Sequence, residues 1–164
     1  MRALPPSALD QIARQHGVIN RDALRQVGLT SSAIDRRRRS GVLESVHPGV
    51  FRLAGSSDSL EQRLAALCLS ISNSVVSHTS AARLWGLRRI PDLGIQITVP
   101  STQTPEVLDV RVHRTNCLTG VDIVERDDAI RLTSPPRTAF DLASILDPDA
   151  LGSVFEQLID ERKW

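Results

Sequence analysis

Apolar residues recur at helical spacing in three short stretches at the start of the chain, and residues that favour helix ends separate these stretches. The stretches are residues 8–16, 21–27 and 31–40. Asn20 precedes the second stretch and Thr30 or Ser31 precedes the third; each can cap a helix because its side-chain oxygen accepts a hydrogen bond from a first-turn amide. Gly17 and Gly28 are suited to end the first two helices. The pattern therefore predicts three consecutive short helices.

An extended pattern follows the third helix. Residues 42–46 and 50–53 are rich in Val, Leu and Phe, and the turn sequence His47-Pro48-Gly49 lies between them. Two such runs around a turn predict a β-hairpin. Three helices followed by a β-hairpin is the order of a winged helix-turn-helix, and the third helix of a helix-turn-helix unit enters the major groove of DNA.

The second half of the chain mixes helical and extended patterns without a regular alternation of the two. Helical periodicity is found in residues 60–71, 77–87, 134–146 and 148–164, and strand patterns are found in residues 75–76, 94–100, 110–114, 122–125 and 129–133. We therefore predict an α+β protein, with an N-terminal winged helix-turn-helix followed by a small mixed α+β domain. The small, polar stretch 54–59 suits a boundary, so we expect a first domain over residues 1–55 and a second over residues 56–164.

Charge is divided unevenly between these two parts. Residues 1–55 carry nine Arg against four Asp and Glu, whereas residues 56–164 carry eleven Arg and Lys against fifteen Asp and Glu. The first part thus has an excess of five positive charges and the second an excess of four negative charges. Such asymmetry indicates that the first part meets an anion. Four of the nine Arg are consecutive, Arg36 to Arg39, and lie in the last turns of the predicted third helix.

The outer face of the third helix is predicted to read DNA bases. If Ile34 anchors the helix inward, Ser32, Arg36 and Arg39 fall on the opposite face and Asp35 lies on its flank. Arg can bind guanine through two hydrogen bonds, Ser can donate or accept, and Asp can accept from cytosine.

Other residues around this face are predicted to contact the DNA backbone. Arg37 and Arg38 fall nearer the Ile34 side, where their stems can cover the core while their guanidinium groups reach phosphate. The hairpin adds His47 and Arg52, which can touch the backbone or the minor groove. The complete predicted DNA-binding set is Thr30, Ser31, Ser32, Asp35, Arg36, Arg37, Arg38, Arg39, His47 and Arg52. Two other interpretations stay open: a solvated charged helix end, which is favourable in itself, and a protein-interaction module on the same fold.

Several segments resemble the AbiEi-like family of antitoxins and transcriptional regulators from type IV toxin–antitoxin systems, in its actinobacterial form. Residues 29–55, LTSSAIDRRRRSGVLESVHPGVFRLAG, resemble the family's N-terminal winged helix. The second half resembles it in SHTSAARLWGL (77–87), ITVP (97–100), VRVHR (110–114) and LTSPPRTAFDLA (132–143). The resemblance implies a DNA-binding first domain that represses its own operon and an antitoxin-like second domain that counteracts a nucleotidyltransferase-type toxin. Arg38 departs from the family, which often has an apolar residue there.

We therefore predict a sequence-specific DNA-binding transcriptional regulator, an autorepressor, with double-stranded operator DNA as its partner. Symmetric half-sites in that DNA imply a homodimeric arrangement of two copies. One alternative is an antitoxin module that acts on a cognate toxin of nucleotidyltransferase type through protein contacts. Another is the non-catalytic N-terminal part of a very-short-patch-repair-like nuclease, a domain that many relatives carry further along the chain.

Catalytic and metal-binding patterns are not found in the sequence. The four His and two Cys have no ligand spacing, and Cys68 lies on an apolar helical face as a core residue. We expect no enzymatic activity, no metal and no cofactor. The chain has neither a signal-peptide pattern nor an apolar run long enough to span a bilayer, so we expect a cytoplasmic protein without a membrane partner.

Overall fold

The computed structural model describes residues 3–161, which form two compact units. Unit 1 comprises the residues up to Ser72 together with the segment Arg126–Ile130, and unit 2 comprises Asn73–Glu125 and the residues from Arg131 onward. Each unit combines helices with one β-sheet, so the predicted α+β class is confirmed. No helix within residues 3–161 is both long and apolar enough to cross a membrane.

Unit 1 begins with the three predicted helices. They are α1 (Pro6–Arg14), α2 (Arg21–Gln26) and α3 (Ser31–Arg39). The side chain of Asn20 caps α2 by accepting a hydrogen bond from the amide of Ala23 at 2.9 Å. Thr30, and not Ser31, caps α3, because its hydroxyl accepts from the amide of Ala33 at 3.2 Å. The local helix signals in this part of the sequence therefore predicted the structure well.

The wing of unit 1 is a three-stranded antiparallel sheet. Its strands are β1 (Val18–Asn20), β2 (Leu43–His47) and β3 (Val50–Leu53), in the order β1-β3-β2. The predicted hairpin is confirmed as β2 and β3, and β1 adds a third strand that pairs with β3. Ile19 of β1 pairs with Phe51 of β3. The core below this sheet includes side chains that are at most 2% exposed: Ile19, Leu24, Ile34, Leu43 and Phe51.

Unit 1 also contains the helix α4 (Leu60–Ser70). This helix packs on β1, β2 and β3. Its Gln62, which is 3% exposed, donates to the carbonyl oxygen of His16 at 2.8 Å and to the hydroxyl of Ser56 at 3.1 Å. The compact unit thus extends beyond residue 55, and the division into domains 1–55 and 56–164 stays a prediction.

Unit 2 is built on a five-stranded mixed sheet. Its strands are β4 (Val75–Val76), β5 (Ile95–Pro100), β6 (Val110–Thr115), β7 (Ile123–Glu125) and β8 (Arg131–Thr133), in the order β6-β5-β4-β8-β7. Its helices are α5 (His78–Leu84), α6 (Pro135–Leu142) and α7 (Pro148–Asp160). The predicted hairpin of β7 and β8 is confirmed by their antiparallel pairing. An apolar cluster joins the helices through Ala82, Leu87, Ala139, Leu142, Val154 and Leu158.

Candidate nucleic-acid interface

The third helix presents one buried and one exposed side. Ile34 is fully buried and anchors α3 to the core of unit 1, as predicted. Ser32, Arg36 and Arg39 are exposed on the opposite side. The start of the helix is also open, since Thr30 and Ser31 are exposed. The helix therefore offers short hydroxyl side chains at its first turn and guanidinium groups along the rest of its outer side.

Three of the four consecutive arginines are exposed: Arg36, Arg38 and Arg39. The salt bridges among residues 3–161 involve none of these three side chains. Arg39 makes one long contact, from Nε to the carbonyl oxygen of Asp35 at 3.4 Å. Arg38 points to solvent, so its departure from the family pattern leaves the packing of α3 intact. Because no carboxylate pairs with them, these three side chains form a positive surface, which we call the arginine row.

Asp35 lies beside the arginine row but is held by another residue. Its Oδ1 accepts a hydrogen bond from Nη2 of Arg21 at 2.9 Å. This hydrogen bond, reinforced by the positive charges of Arg21, Arg38 and Arg39, lowers the pKa of the Asp35 carboxyl. Arg21 in turn lies over the ring of Phe51, with its guanidinium carbon 5.5 Å from the ring centroid. The carboxylate thus fixes α2 relative to α3, in addition to any base contact it makes.

Arg37 differs from its three neighbours because it is folded against the protein. Only 8% of it is exposed. Its Nη1 donates to the carbonyl oxygen of Ala33 at 3.0 Å, and its Nη2 donates to that of Ala3 at 3.1 Å. The prediction that this guanidinium reaches outward to phosphate is therefore corrected. The side chain ties the segment before α1 to α3, and we leave it out of the proposed DNA-contacting set.

The wing carries less unpaired positive charge than we predict from the sequence. Arg52 of β3 lies directly across from Glu44 of β2, and its Nε donates to Oε2 of Glu44 at 2.6 Å. His47 is half-buried, and burial lowers the pKa of its imidazole, so the ring is neutral near pH 7. Pro48 and Gly49 are exposed at the turn. The wing therefore presents backbone and neutral groups more than positive charge.

Arg25 is a further candidate for a DNA contact that lies outside the sequence motifs. It lies in the last turn of α2 and is exposed. In a helix-turn-helix the helix before the recognition helix crosses the DNA backbone, so an exposed Arg there is placed to meet phosphate. The excess of Arg over acidic residues in the first part of the chain was the sequence signal for it.

Comparisons with known proteins find a similar family and a similar fold. Residues 7–54 match the family described as "Transcriptional regulator, AbiEi antitoxin", which confirms the family resemblance for the segment from α1 to β3. The fold is similar to the crystal structure of the RV2827C protein from Mycobacterium tuberculosis, with a TM-score of 0.53 at 17% sequence identity. That similarity covers 95% of this chain and 73% of the other. No curated protein matches the chain. The matched segment is thus similar to a family of transcriptional regulators and antitoxins.

Proposed function

We propose that this protein is a sequence-specific DNA-binding transcriptional regulator that represses its own operon. The observation that carries this proposal is the arginine row, which lies unpaired on the exposed side of α3 in a winged helix-turn-helix unit. Such helices read the major groove. The family description of the matched segment supports the same function.

In this proposal α3 lies in the major groove and its polar side chains make two kinds of contact. The guanidinium groups of Arg36, Arg38 and Arg39, with Arg25 from α2, contact phosphates and supply much of the affinity. Thr30, Ser31 and Ser32 at the first turn, and the outward Arg side chains, reach base edges and supply specificity. His47 and Arg52 of the wing contact the adjacent backbone or minor groove, with Arg52 partly neutralised by Glu44.

The direct test is binding of the full chain to the DNA upstream of its own gene, measured by fluorescence anisotropy at two salt concentrations. If about 4–6 phosphates are neutralised, log K falls with log salt at a slope of about −4 to −5. A scrambled duplex of the same length is the control for specificity. Equal affinity for both duplexes, or no binding at low salt, contradicts the proposal.

A paired set of variants tests which surface binds. The double variant Arg36→Ala, Arg39→Ala removes two groups of the arginine row and is expected to weaken binding at least about a hundredfold, since each charged contact contributes about 1.5–3 kcal/mol. Arg88→Ala removes an exposed Arg of unit 2 and is expected to bind like the parent protein. Unchanged binding by the double variant rejects this use of α3.

Neutralisation of a toxin is a second candidate function, because the matched family is described as an antitoxin. The excess of negative charge in residues 56–164 fits contact with a basic protein. Co-expression with the product of a neighbouring nucleotidyltransferase gene is the test, with growth of the host as the readout. If the double variant Arg36→Ala, Arg39→Ala, which is expected to bind DNA weakly, rescues growth as well as the parent protein does, neutralisation depends on residues outside the arginine row.

A further inference from the structure

Arg21, the first residue of α2, contacts three separate parts of unit 1. Its backbone amide donates to the carbonyl oxygen of Gly49 in the wing turn at 2.8 Å. Its guanidinium group lies over the ring of Phe51 in β3, with the guanidinium carbon 5.5 Å from the ring centroid. The same group donates from Nη2 to Oδ1 of Asp35 in α3 at 2.9 Å. One residue thus joins the turn of the wing, a strand of the wing and the helix that carries the arginine row.

The wing side of this connection is firmly held. Asn20, the residue before Arg21, caps α2 and pairs with Val50 of β3. Phe51 is 2% exposed and belongs to the core of unit 1. Gly49 has a φ of 74°, in the left-handed region that glycine adopts without strain, and its carbonyl oxygen accepts from the Arg21 amide. The backbone of Arg21 is therefore fixed relative to the wing, and its side chain extends from that base to α3.

The contact with Asp35 holds one flank of α3. Among residues 3–161, the salt bridge from Asp35 to Arg21 is the only one that α3 forms. Ile34 anchors the inner side of the helix by apolar contact, which has little directional preference. Arg37, on the other flank, is tied to Ala3 ahead of α1 and not to the wing. The directional, charge-assisted hydrogen bond to Asp35 therefore opposes rotation of α3 about its own axis relative to the wing.

A small rotation of α3 affects base contacts more than phosphate contacts. Side chains of a helix end about 5–6 Å from its axis, so a rotation of about 20° moves their polar atoms by about 2 Å. Ser31 and Ser32 have short side chains that cannot follow such a shift, and a hydrogen bond to a base edge tolerates only a few tenths of an ångström. The long side chains of the arginine row can adjust and keep their phosphates. The angle of α3 therefore controls which sequence is read more than how tightly the DNA backbone is held.

The energetics of the pair leave it a geometric role. The side chains of Arg21 and Asp35 are 32% and 37% exposed, and exposed salt bridges contribute little to stability. The two charges cancel, so the pair as a whole adds no net charge to the surface that faces DNA. Removal of both side chains should therefore change neither the fold nor the general attraction to a polyanion.

We propose that Arg21, acting through Asp35, is a positioning residue that sets the rotation of α3 relative to the wing and thereby determines which DNA sequence is bound. This inference rests on the proposed function, because it concerns the specificity of the same surface. It also assigns Asp35 a role in orientation in place of the base contact predicted from the sequence.

The test compares the parent protein with the double variant Arg21→Met, Asp35→Ala, each confirmed as folded by urea denaturation. The variant removes one positive and one negative charge, and Met keeps an apolar side chain over Phe51. Fluorescence anisotropy gives the affinities for the DNA upstream of the gene and for the scrambled duplex at two salt concentrations. The ratio of the two affinities is expected to fall at least about tenfold, as the loss of one base contact causes. The affinity for the scrambled duplex and its salt slope should stay parental, because the net charge is unchanged.

Two further variants separate positioning from other roles of the pair. Arg21→Met alone keeps Asp35, so it should lower the ratio if Arg21 orients α3 and should keep the parental ratio if Asp35 reads a base by itself. Arg63→Met, Asp58→Ala removes another exposed Arg–Asp pair of unit 1, one that includes no residue of α3 or of the wing, and should keep the parental ratio. A parental ratio in folded Arg21→Met, or an equal fall in the Arg63 and Asp58 control, overturns the inference.

A measurement on the free protein tests the geometry without DNA. Residual dipolar couplings of backbone amides report the orientation of α3 relative to β2 and β3. In Arg21→Met the couplings of α3 should deviate from the parental alignment, while those of β2 and β3 keep it. Unchanged α3 couplings overturn the inference even if the affinity ratio falls. Equal binding of both duplexes by the parent protein rejects the proposed function and this inference with it, whereas a parental preference that survives in Arg21→Met rejects this inference alone.

Discussion

The two compact units place their polar side chains in opposite ways. Unit 1 has an apolar core around Ile34 and Phe51 and carries its charge on the exposed side of α3. Unit 2 buries hydroxyl, imidazole and carboxyl groups on one face of its sheet, around Thr98, His113 and Asp141. Exposed, unpaired charge suits a large polyanion, which needs only a surface. Enclosed polar groups suit a small ligand or one another, because little else can reach them.

The largest expected effect comes from the core of unit 1. Phe51→Ala removes a ring that is 2% exposed, and it should lower the free energy of unfolding by about 3–5 kcal/mol in urea denaturation. DNA binding should be lost with it, because α3 rests on the same core. Phe140→Ala in unit 2 is the matched control: that ring is 72% exposed, so the expected change is within about 0.5 kcal/mol. Equal effects of the two substitutions contradict the burial described here.

The next contrast lies within the run of four arginines. Arg37→Ala removes the hydrogen bonds from the buried guanidinium to the carbonyl oxygens of Ala33 and Ala3, and it should lower the free energy of unfolding by about 1–3 kcal/mol. Arg38→Ala changes an exposed neighbour and should change it by less than about 0.5 kcal/mol. Chemical denaturation of both variants gives the comparison. If Arg38→Ala lowers the free energy of unfolding more than Arg37→Ala does, the assignment of Arg37 as buried and Arg38 as exposed is wrong.

The stacked imidazoles of His78 and His113 in unit 2 predict a dependence of stability on pH. Burial, with the positive charge of Arg111, lowers their pKa values to about 4 in the folded protein, from an ordinary value of 6.5. The unfolded chain therefore binds protons first as pH falls, so stability is fully present above about pH 6.5 and declines toward about pH 4. His47 in unit 1 contributes in the same direction.

The contribution of the stacked His78 and His113 rings is isolated by comparing the urea midpoints of the parent protein and of His113→Gln between about pH 6.5 and about pH 4. The lowered pKa of Asp122 acts below the ordinary Asp value of 3.8, and so under this window. The raised pKa of Asp141 acts above 3.8, where the folded protein binds the proton first and the decline in stability is opposed. The variant should show a weaker decline than the parent, and His47→Gln serves as the control for unit 1. A decline that is the same in the parent and in His113→Gln would mean that the stack does not titrate as described.

The smallest expected effect concerns the wing. Glu44→Gln removes the charge that pairs with Arg52, and an exposed cross-strand pair contributes less than about 1 kcal/mol to stability. DNA affinity should rise slightly, because the variant frees a positive charge beside the proposed DNA surface. Anisotropy at low salt measures this change. A clear fall in affinity would show that Glu44 positions Arg52 for binding and does not merely neutralise it.

Local signals predicted most helices and the hairpin of unit 1. Asn20 and Thr30 cap helices as their chemistry indicates, and Ile34 is buried where the helical period places it. The strand β1 was missed because its three residues are too few to show an alternation. The inward turn of Arg37 was missed for another reason: its partner is the carbonyl of Ala3, far away along the chain.

The polar interior of unit 2 could not be read from the sequence either. Thr98 and His113 become neighbours only through the parallel pairing of β5 with β6, and Asp141 comes from a later helix. Periodicity within one element contains no information about which strands pair. His78 and His113, which the sequence shows as isolated residues, become a stacked pair only in the folded unit.

The central claim is that the exposed arginines of α3, and not the buried one, meet DNA phosphates. The most direct test is the slope of log K against log salt for three proteins: the parent, the double variant Arg36→Ala, Arg39→Ala, and Arg37→Ala, each confirmed as folded at the assay temperature. The double variant should lose about two units of the slope, about one for each phosphate contact, and Arg37→Ala should keep the parental slope. A parental slope in the double variant, or a reduced slope in Arg37→Ala alone, would contradict the claim.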